Sequence, residues 1–212
     1  MNRSVRALLA VLLGTALASP VLSQTLGSVG IVQVPLTAEQ PLYFYGDPSG
    51  HPSTASPLDS LTFSSGLHHH EVAHAPPWFA PDEFKLDYDL LFLRAVSLRR
   101  YWVEVVVHTQ AVRWAPQTLW LDREAVTFRS WPEFLLEVYS VEPVDLRANP
   151  LRSAPQDNAE VTASNQDDYR VIAVQGDWLF VEGADGREVG NPRGWLRWRQ
   201  ADRLLVRYNL LS

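Results

Sequence analysis

Tyr169-Arg170-Val171-Ile172-Ala173-Val174-Gln175-Gly176-Asp177-Trp178-Leu179-Phe180-Val181-Glu182 is the clearest structural signal in this chain of 212 residues. It contains two short runs rich in β-branched and aromatic residues, at positions 169–174 and 177–182, with Gln175 and Gly176 between them. Such runs, when turn residues bound them, are typical of antiparallel strands. The stretch therefore predicts two neighbouring strands of a sheet.

The same pattern recurs along the rest of the chain. Fifteen Pro and eleven Gly separate the runs, which suits tight turns and disfavours long helices. One short helix is predicted at 131–137, where Pro132 is allowed in the first turn. The composition and spacing predict an all-β protein built from small barrels. The further predicted strands lie at 30–34, 42–45, 89–96, 102–107, 119–121, 194–199 and 204–208.

Three landmarks occur twice in the same order, which indicates an internal repeat. An X-Pro turn at 41–48 matches 143–150, at an offset of 102 residues. A Trp-containing strand begins at Trp102 and again at Trp178, at an offset of 76, so the first copy carries 26 extra residues before it. Leu119-Trp120-Leu121 then matches Gly194-Trp195-Leu196. The alternative is that two β-rich stretches match by composition alone.

The second copy resembles the bacterial SH3-like domain family. Asp145-Leu146-Arg147-Ala148-Asn149-Pro150 is similar to that family's opening strand and turn, which lead into a long first loop. Residues 169–181 resemble its next two strands, and Gly194-Trp195-Leu196 its Gly-Trp-aliphatic strand. The first copy diverges, because it lacks the Leu-Arg opening and has Thr118 in place of Gly194. The expected organisation is a signal peptide at 1–23, a divergent SH3-like domain with a His-containing loop insertion at 24–140, and an SH3-like domain at 141–212.

The resemblance implies a non-catalytic binding module for a peptidoglycan peptide or an envelope protein. Strand alternation puts Leu179, Val181, Leu196 and Trp198 inside the second barrel and the intervening side chains outside. We expect Trp178, Phe180, Trp195 and Arg197 to bind the ligand, because aromatic and Arg side chains often anchor interfaces. By the same alternation Trp102, Glu104, Trp120 and Asp122 face outward in the first copy. The alternative is that these rings pack against the sister barrel or a long loop.

A histidine cluster offers a second kind of function. His70-Glu71-Val72-Ala73-His74 fits the H-E-x-x-H pattern of zinc proteases, in which a helix places both His on one face. Gly66 before it and Pro76-Pro77 after it argue against a helix, and the segment falls within the extra residues, so a solvated loop is predicted. Binding of Zn²⁺, Ni²⁺ or Cu²⁺ by His68, His69, His70 and His74 stays open, and a zinc peptidase is the weaker alternative.

The first two dozen residues predict export. Arg3 and Arg6 precede an apolar run at 7–18 that is too short to span a bilayer, and cleavage sites follow before Ser19 or Gln24. No later segment is long and apolar enough to span, so a periplasmic or secreted protein is expected. Removing the two Arg takes the net charge from −6 to −8, which disfavours a nucleic-acid binder. The absence of Cys excludes disulfides and Cys-based catalysis, and the sequence requires no cofactor.

Overall fold

A computed structural model describes residues 27–108, 117–162, 166–184 and 191–211. The predicted signal peptide at 1–23 lies outside these residues. The described chain forms mainly strands, with one α-helix and short 3₁₀ turns. In chain order the elements are β1 (Gly30–Gln33), β2 (Leu42–Phe44), β3 (Asp59–Ser65), β4 (His70–His74), β5 (Glu83–Lys85), β6 (Leu90–Leu98), β7 (Trp102–Val106), β8 (Thr118–Asp122), β9 (Thr127–Ser130), α1 (Trp131–Glu137), β10 (Ser140–Pro143), β11 (Tyr169–Gln175), β12 (Trp178–Gly183), β13 (Arg193–Arg197), β14 (Arg199–Gln200), β15 (Arg203–Leu204) and β16 (Val206–Asn209).

Two antiparallel sheets repeat one connection scheme. The first has the order β8-β7-β6-β1-β9, and the second has the order β13-β12-β11-β10-β16. If the five strands of each sheet are numbered 1 to 5 along the chain, their spatial order is 4-3-2-1-5 in both sheets. The first sheet also carries β5, which pairs with β6. We call the part of the chain around the first sheet the first unit and the part around the second sheet the second unit. The all-β prediction is confirmed, although no strand pairing closes either sheet into a barrel within the described residues.

The connection between the first and second strand of each sheet differs most between the units. In the first unit it contains a separate three-stranded sheet, β2-β3-β4. In the second unit, the described part of the corresponding connection, between β10 and β11, contains only bridges from Arg152 to Val161 and Trp195. The prediction of a loop insertion in the first unit is therefore wrong in one respect, because that insertion is itself built from strands.

The helix α1 forms where the sequence predicts it. The Glu133 carboxylate accepts hydrogen bonds from both the backbone N–H and the hydroxyl of Ser130, which caps the first turn. Trp131, Phe134 and Leu135 are buried in a core shared with Ile31 of the first sheet and with strands of the second. The helix therefore packs between the two units, and none of the described helices is long and apolar enough to cross a membrane.

Strand alternation assigns the interior of the second unit correctly. Leu179, Val181, Leu196 and Trp198 are each 0% exposed, as expected for one face of paired strands. These side chains belong to the core that also contains α1. A separate core lies within the first unit and includes Leu61 and Phe63 of β3, so the inserted sheet is packed onto the first unit rather than solvated.

Candidate functional site

The four predicted ligand-binding residues lie on one face of the second sheet. Trp178 lies opposite Arg197, and Phe180 lies opposite Trp195, in the register of β12 and β13. Residues two apart on a strand share a face, so the two cross-strand pairs are neighbours. The structure thus brings all four together, but their burial differs: Trp178 is buried, and the other three are half-buried.

The expected exposure of Trp178 is wrong. Its side chain is buried, with the residue 8% exposed, and the Arg197 guanidinium carbon lies 5.7 Å from the centre of its ring. Phe180 and Trp195 are half-buried and pack on each other with ring centres 5.3 Å apart. Alternation identifies the outer face of the sheet, whereas the burial on that face is decided by the loop that crosses it.

A cavity of about 180 Å³ lies beside Trp178 and Arg197. Most of its lining residues come from the connection between β10 and β11 and from the segment after β13, which the sequence did not single out as a site. Leu146-Arg147-Ala148-Asn149-Pro150 marked the start of that connection, but nothing in the local pattern pointed to Asp157 or Gln200. The lining residues are Ala148, Asn149, Arg152, Asp157, Trp178, Arg197, Gln200 and Leu205.

Backbone and amide hydrogen bonds fix the loop across β13. Arg152 exchanges two backbone hydrogen bonds with Trp195, with N···O distances of 2.9 and 2.8 Å. The Asn149 side-chain amide donates to the carbonyl of Arg197 over 2.8 Å and more weakly to that of Leu205 over 3.4 Å. The wall of the cavity is thus tied to the strand that carries Arg197.

The charges lining the cavity are mainly positive. Arg197 donates from Nη1 to both carboxylate oxygens of Asp157, over 2.9 and 3.0 Å. Arg152 donates to the carbonyl oxygen of Ala159, and no carboxylate in the described residues pairs with it. Two guanidinium groups therefore face one carboxylate in a chain of net charge −6.

The indole N–H of Trp178 has no acceptor among the described residues. Trp178 lines the cavity, although the residue as a whole is only 8% exposed. A buried indole usually finds a partner for its N–H. Here the unpaired donor belongs to a residue that lines the cavity.

The first unit closes the corresponding position with its own chain. Trp102 begins β7 as Trp178 begins β12, and its indole N–H donates to the carbonyl oxygen of Gly50 over 3.1 Å. Tyr45 packs edge-on against Trp102, with ring centres 4.9 Å apart. The predicted exposure of Trp102 and Trp120 is therefore wrong, because they are only 1% and 8% exposed.

The two loops cross their sheets at equivalent points. Tyr45 bridges Trp120 in the first unit, and Arg152 bridges Trp195 in the second. Gly50 follows Tyr45 by five residues, and Asp157 follows Arg152 by five residues. The backbone carbonyl of Gly50 thus reaches Trp102 in the first unit. In the second unit, the side chain of Asp157 reaches Arg197 beside the cavity.

The histidine segment is a strand, so the predicted loop is wrong. Residues 70–74 form β4, which pairs with β3. Along a strand, positions four apart lie about 13 Å from each other, whereas the H-E-x-x-H protease motif requires both His side chains on one face of a helix. His70 and His74 therefore do not form a zinc-protease site.

The structure gives the four predicted metal ligands no common centre. His70 Nδ1 lies 3.6 Å from Asp89 Oδ1, and His74 Nε2 lies 3.4 Å from Asp59 Oδ1. A shallow cavity of about 270 Å³ is lined by His68, His69 and His70 but not by His74. In the described part of the chain, no three His, Asp or Glu side chains are placed to hold one metal ion.

We compared the chain with known protein families, curated proteins and solved structures. No family model, no curated protein and no solved structure matches this chain.

Proposed function

We propose that this chain is an exported, non-catalytic binding protein of the bacterial envelope, made of two SH3-like units. Its ligand is a peptide of the cell wall, and the binding groove is the cavity beside Trp178 in the second unit. The strand order that both sheets share supports a duplicated unit. The short basic and apolar N-terminal segment supports export to the periplasm or the medium.

The observation that carries the proposal is the contrast between Trp102 and Trp178. In the first unit, a peptide carbonyl of the chain itself, that of Gly50, accepts the indole hydrogen bond. In the second, Trp178 lines the cavity and its indole N–H has no acceptor among the described residues. The contact that the loop makes in the first unit is the contact that a bound peptide would make in the second.

The dimensions of the groove also favour a peptide. Pockets for drug-sized molecules commonly enclose about 300–1,000 Å³. A cavity of about 180 Å³ is smaller than that, so it suits a short part of a chain that continues across the surface better than a whole drug-sized molecule. Phe180 and Trp195, which lie on the same face outside the cavity, offer apolar area for that continuation.

Co-sedimentation with purified peptidoglycan tests this function. The full chain, expressed with its N-terminal segment so that any processing is retained, is pelleted with the insoluble wall in the presence and absence of EDTA. We expect pelleting that survives EDTA and falls at least about fivefold in Trp178→Phe, which removes the N–H donor but keeps an aromatic ring.

Trp120→Phe is the matched control, because Trp120 is 8% exposed like Trp178 but lies in the first unit and does not line the cavity. Its pelleting should stay close to that of the unmodified chain, and circular dichroism should show both variants folded. Equal pelleting of Trp178→Phe and the unmodified chain would contradict the proposed groove. Absence of pelleting, together with saturable binding to an envelope protein, would replace the wall peptide by a protein partner.

A further inference from the structure

We propose that the groove recognises a free carboxylate on the peptide, and that Asp157 occupies the carboxylate position until a ligand displaces it. This inference rests on the proposed function, since it names the chemistry of the ligand in the same groove. Arg197 binds this carboxylate, and the indole N–H of Trp178 donates to a neighbouring peptide carbonyl.

Arg197 already holds a carboxylate in the unliganded chain. Its Nη1 lies 2.9 and 3.0 Å from the two oxygens of Asp157, and its Nε donates to the carbonyl oxygen of Arg199 over 3.1 Å. Its Nη2 has no acceptor in the described residues, and the side chain is 21% exposed. A guanidinium group binds carboxylates through two parallel N–H donors, so a ligand that engages Nη1 and Nη2 together would make a better contact than Asp157 makes.

Asp157 is suited to leave. Its side chain is 70% exposed, and it comes from the loop rather than from a strand. Solvent-exposed ion pairs contribute little free energy, because water solvates the separated charges well. Exchanging Asp157 for a ligand carboxylate therefore breaks only a weak contact and leaves Asp157 hydrated.

The surroundings favour a negatively charged ligand. Arg152 lines the same cavity and has no carboxylate partner among the described residues. Once Asp157 has moved away, two guanidinium groups remain without a counter-charge at the cavity. An uncharged peptide cannot replace Asp157 on Arg197 and adds no negative charge beside Arg152, whereas a carboxylate would pair with Arg197 and bring a negative charge into the cavity that Arg152 also lines.

The test compares soluble peptides released from peptidoglycan by an amidase before and after their carboxylates are converted to amides. Binding to the full chain is measured by isothermal titration calorimetry. We expect the untreated peptides to bind at least about tenfold tighter than the amidated ones, and added salt to weaken only the former. Asp157→Asn should bind the untreated peptides about twofold to fivefold tighter, because the internal competitor is removed.

Asp177→Asn is the matched control. Asp177 pairs with Arg199 in the same unit and does not line the cavity, so this change removes the same charge without removing the competitor. Its affinity should stay close to that of the unmodified chain. Thermal unfolding checks that both variants fold.

Three results would overturn the inference. Equal affinity for untreated and amidated peptides would refute carboxylate recognition while leaving the groove proposal standing, and this comparison needs no variant. Weaker binding by Asp157→Asn, with Asp177→Asn unchanged, would make Asp157 a structural support of the loop. Failure of the unmodified chain to bind either peptide form would refute the proposed function together with this inference.

Discussion

Trp102 donates its indole N–H to the backbone carbonyl of Gly50 across 3.1 Å, and this contact fixes the chain's own loop on the ring that begins β7. The equivalent ring of Trp178 begins β12 and has no such acceptor in the described residues. The two sheets share the order of five strands but differ in whether the chain supplies an acceptor for the indole N–H of the Trp that begins the third strand. We therefore expect one binding groove per chain rather than two.

The Trp102 contact predicts an asymmetry in stability. Trp102→Phe should lower the free energy of unfolding by about 2–3 kcal/mol, because it removes a hydrogen bond and part of a fully buried ring. Trp178→Phe should cost about 1 kcal/mol, because its N–H is unpaired and part of its ring faces a cavity. Urea unfolding followed by circular dichroism measures both values. Equal losses would contradict the assignment of a closed site to Trp102 and an open one to Trp178.

Hydrophobic alternation was sufficient to predict most, but not all, of the strands that carry the cores. The runs around Leu179 and Leu196 place large apolar side chains at every second position, and this period needs no tertiary information. In β3, Leu61 and Phe63 alternate in the same way, but Ser and Thr between them weaken the signal. The strands β5, β9 and β10 each contain a single Phe or Val among polar residues and Pro, so no apolar alternation is visible in them.

The candidate site was predictable only in part. The register that places Trp178 beside Arg197 follows from the two strands, and both residues were predicted to bind ligand. Asp157, by contrast, lies 40 residues before Arg197 and meets it only because the loop folds back over β13. Residues four apart, such as His70 and His74, share one face both of a helix and of a strand. The segment is a strand because it pairs with β3.

A buried ion pair in the first unit predicts a large loss on substitution. Arg94 pairs with Asp82, and their side chains are only 10% and 12% exposed. Arg94→Met should lower the free energy of unfolding by roughly 3 kcal/mol, because it leaves a buried carboxylate without its counter-charge. The double variant Asp82→Asn/Arg94→Met should recover part of that loss, since no buried charge remains.

Lys85 provides the matched control for the Arg94 experiment. It pairs with Glu83 over 3.5 Å, and the two side chains are 43% and 26% exposed. Lys85→Met should change the free energy of unfolding by less than about 1 kcal/mol, because water screens an exposed pair. Urea unfolding at neutral pH compares the two substitutions. Similar losses for Arg94→Met and Lys85→Met would show that burial does not govern the Asp82–Arg94 pair.

Tyr208 predicts a loss of stability at alkaline pH. Its ring packs edge-on against Phe134 of α1, with ring centres 4.9 Å apart. Burial, followed by the negative charges of Asp82 and Glu83, raises the pKa of its phenol well above the usual value of 10, although Arg94 acts in the opposite direction. The unfolded chain therefore ionises Tyr208 at a lower pH than the folded chain does. The stabilising contribution is complete below about pH 10 and is lost as the pH rises above it.

Tyr208→Phe isolates this contribution, because it keeps the ring and removes the ionisable hydroxyl. Between about pH 9 and about pH 11, the free energy of unfolding should fall more steeply for the unmodified chain than for the variant. Urea unfolding at each pH gives the two curves, and all other titrating groups affect both alike. Parallel curves would mean that the Tyr208 phenol ionises as easily in the folded chain as in the unfolded one, which would contradict its placement against α1 beside Asp82.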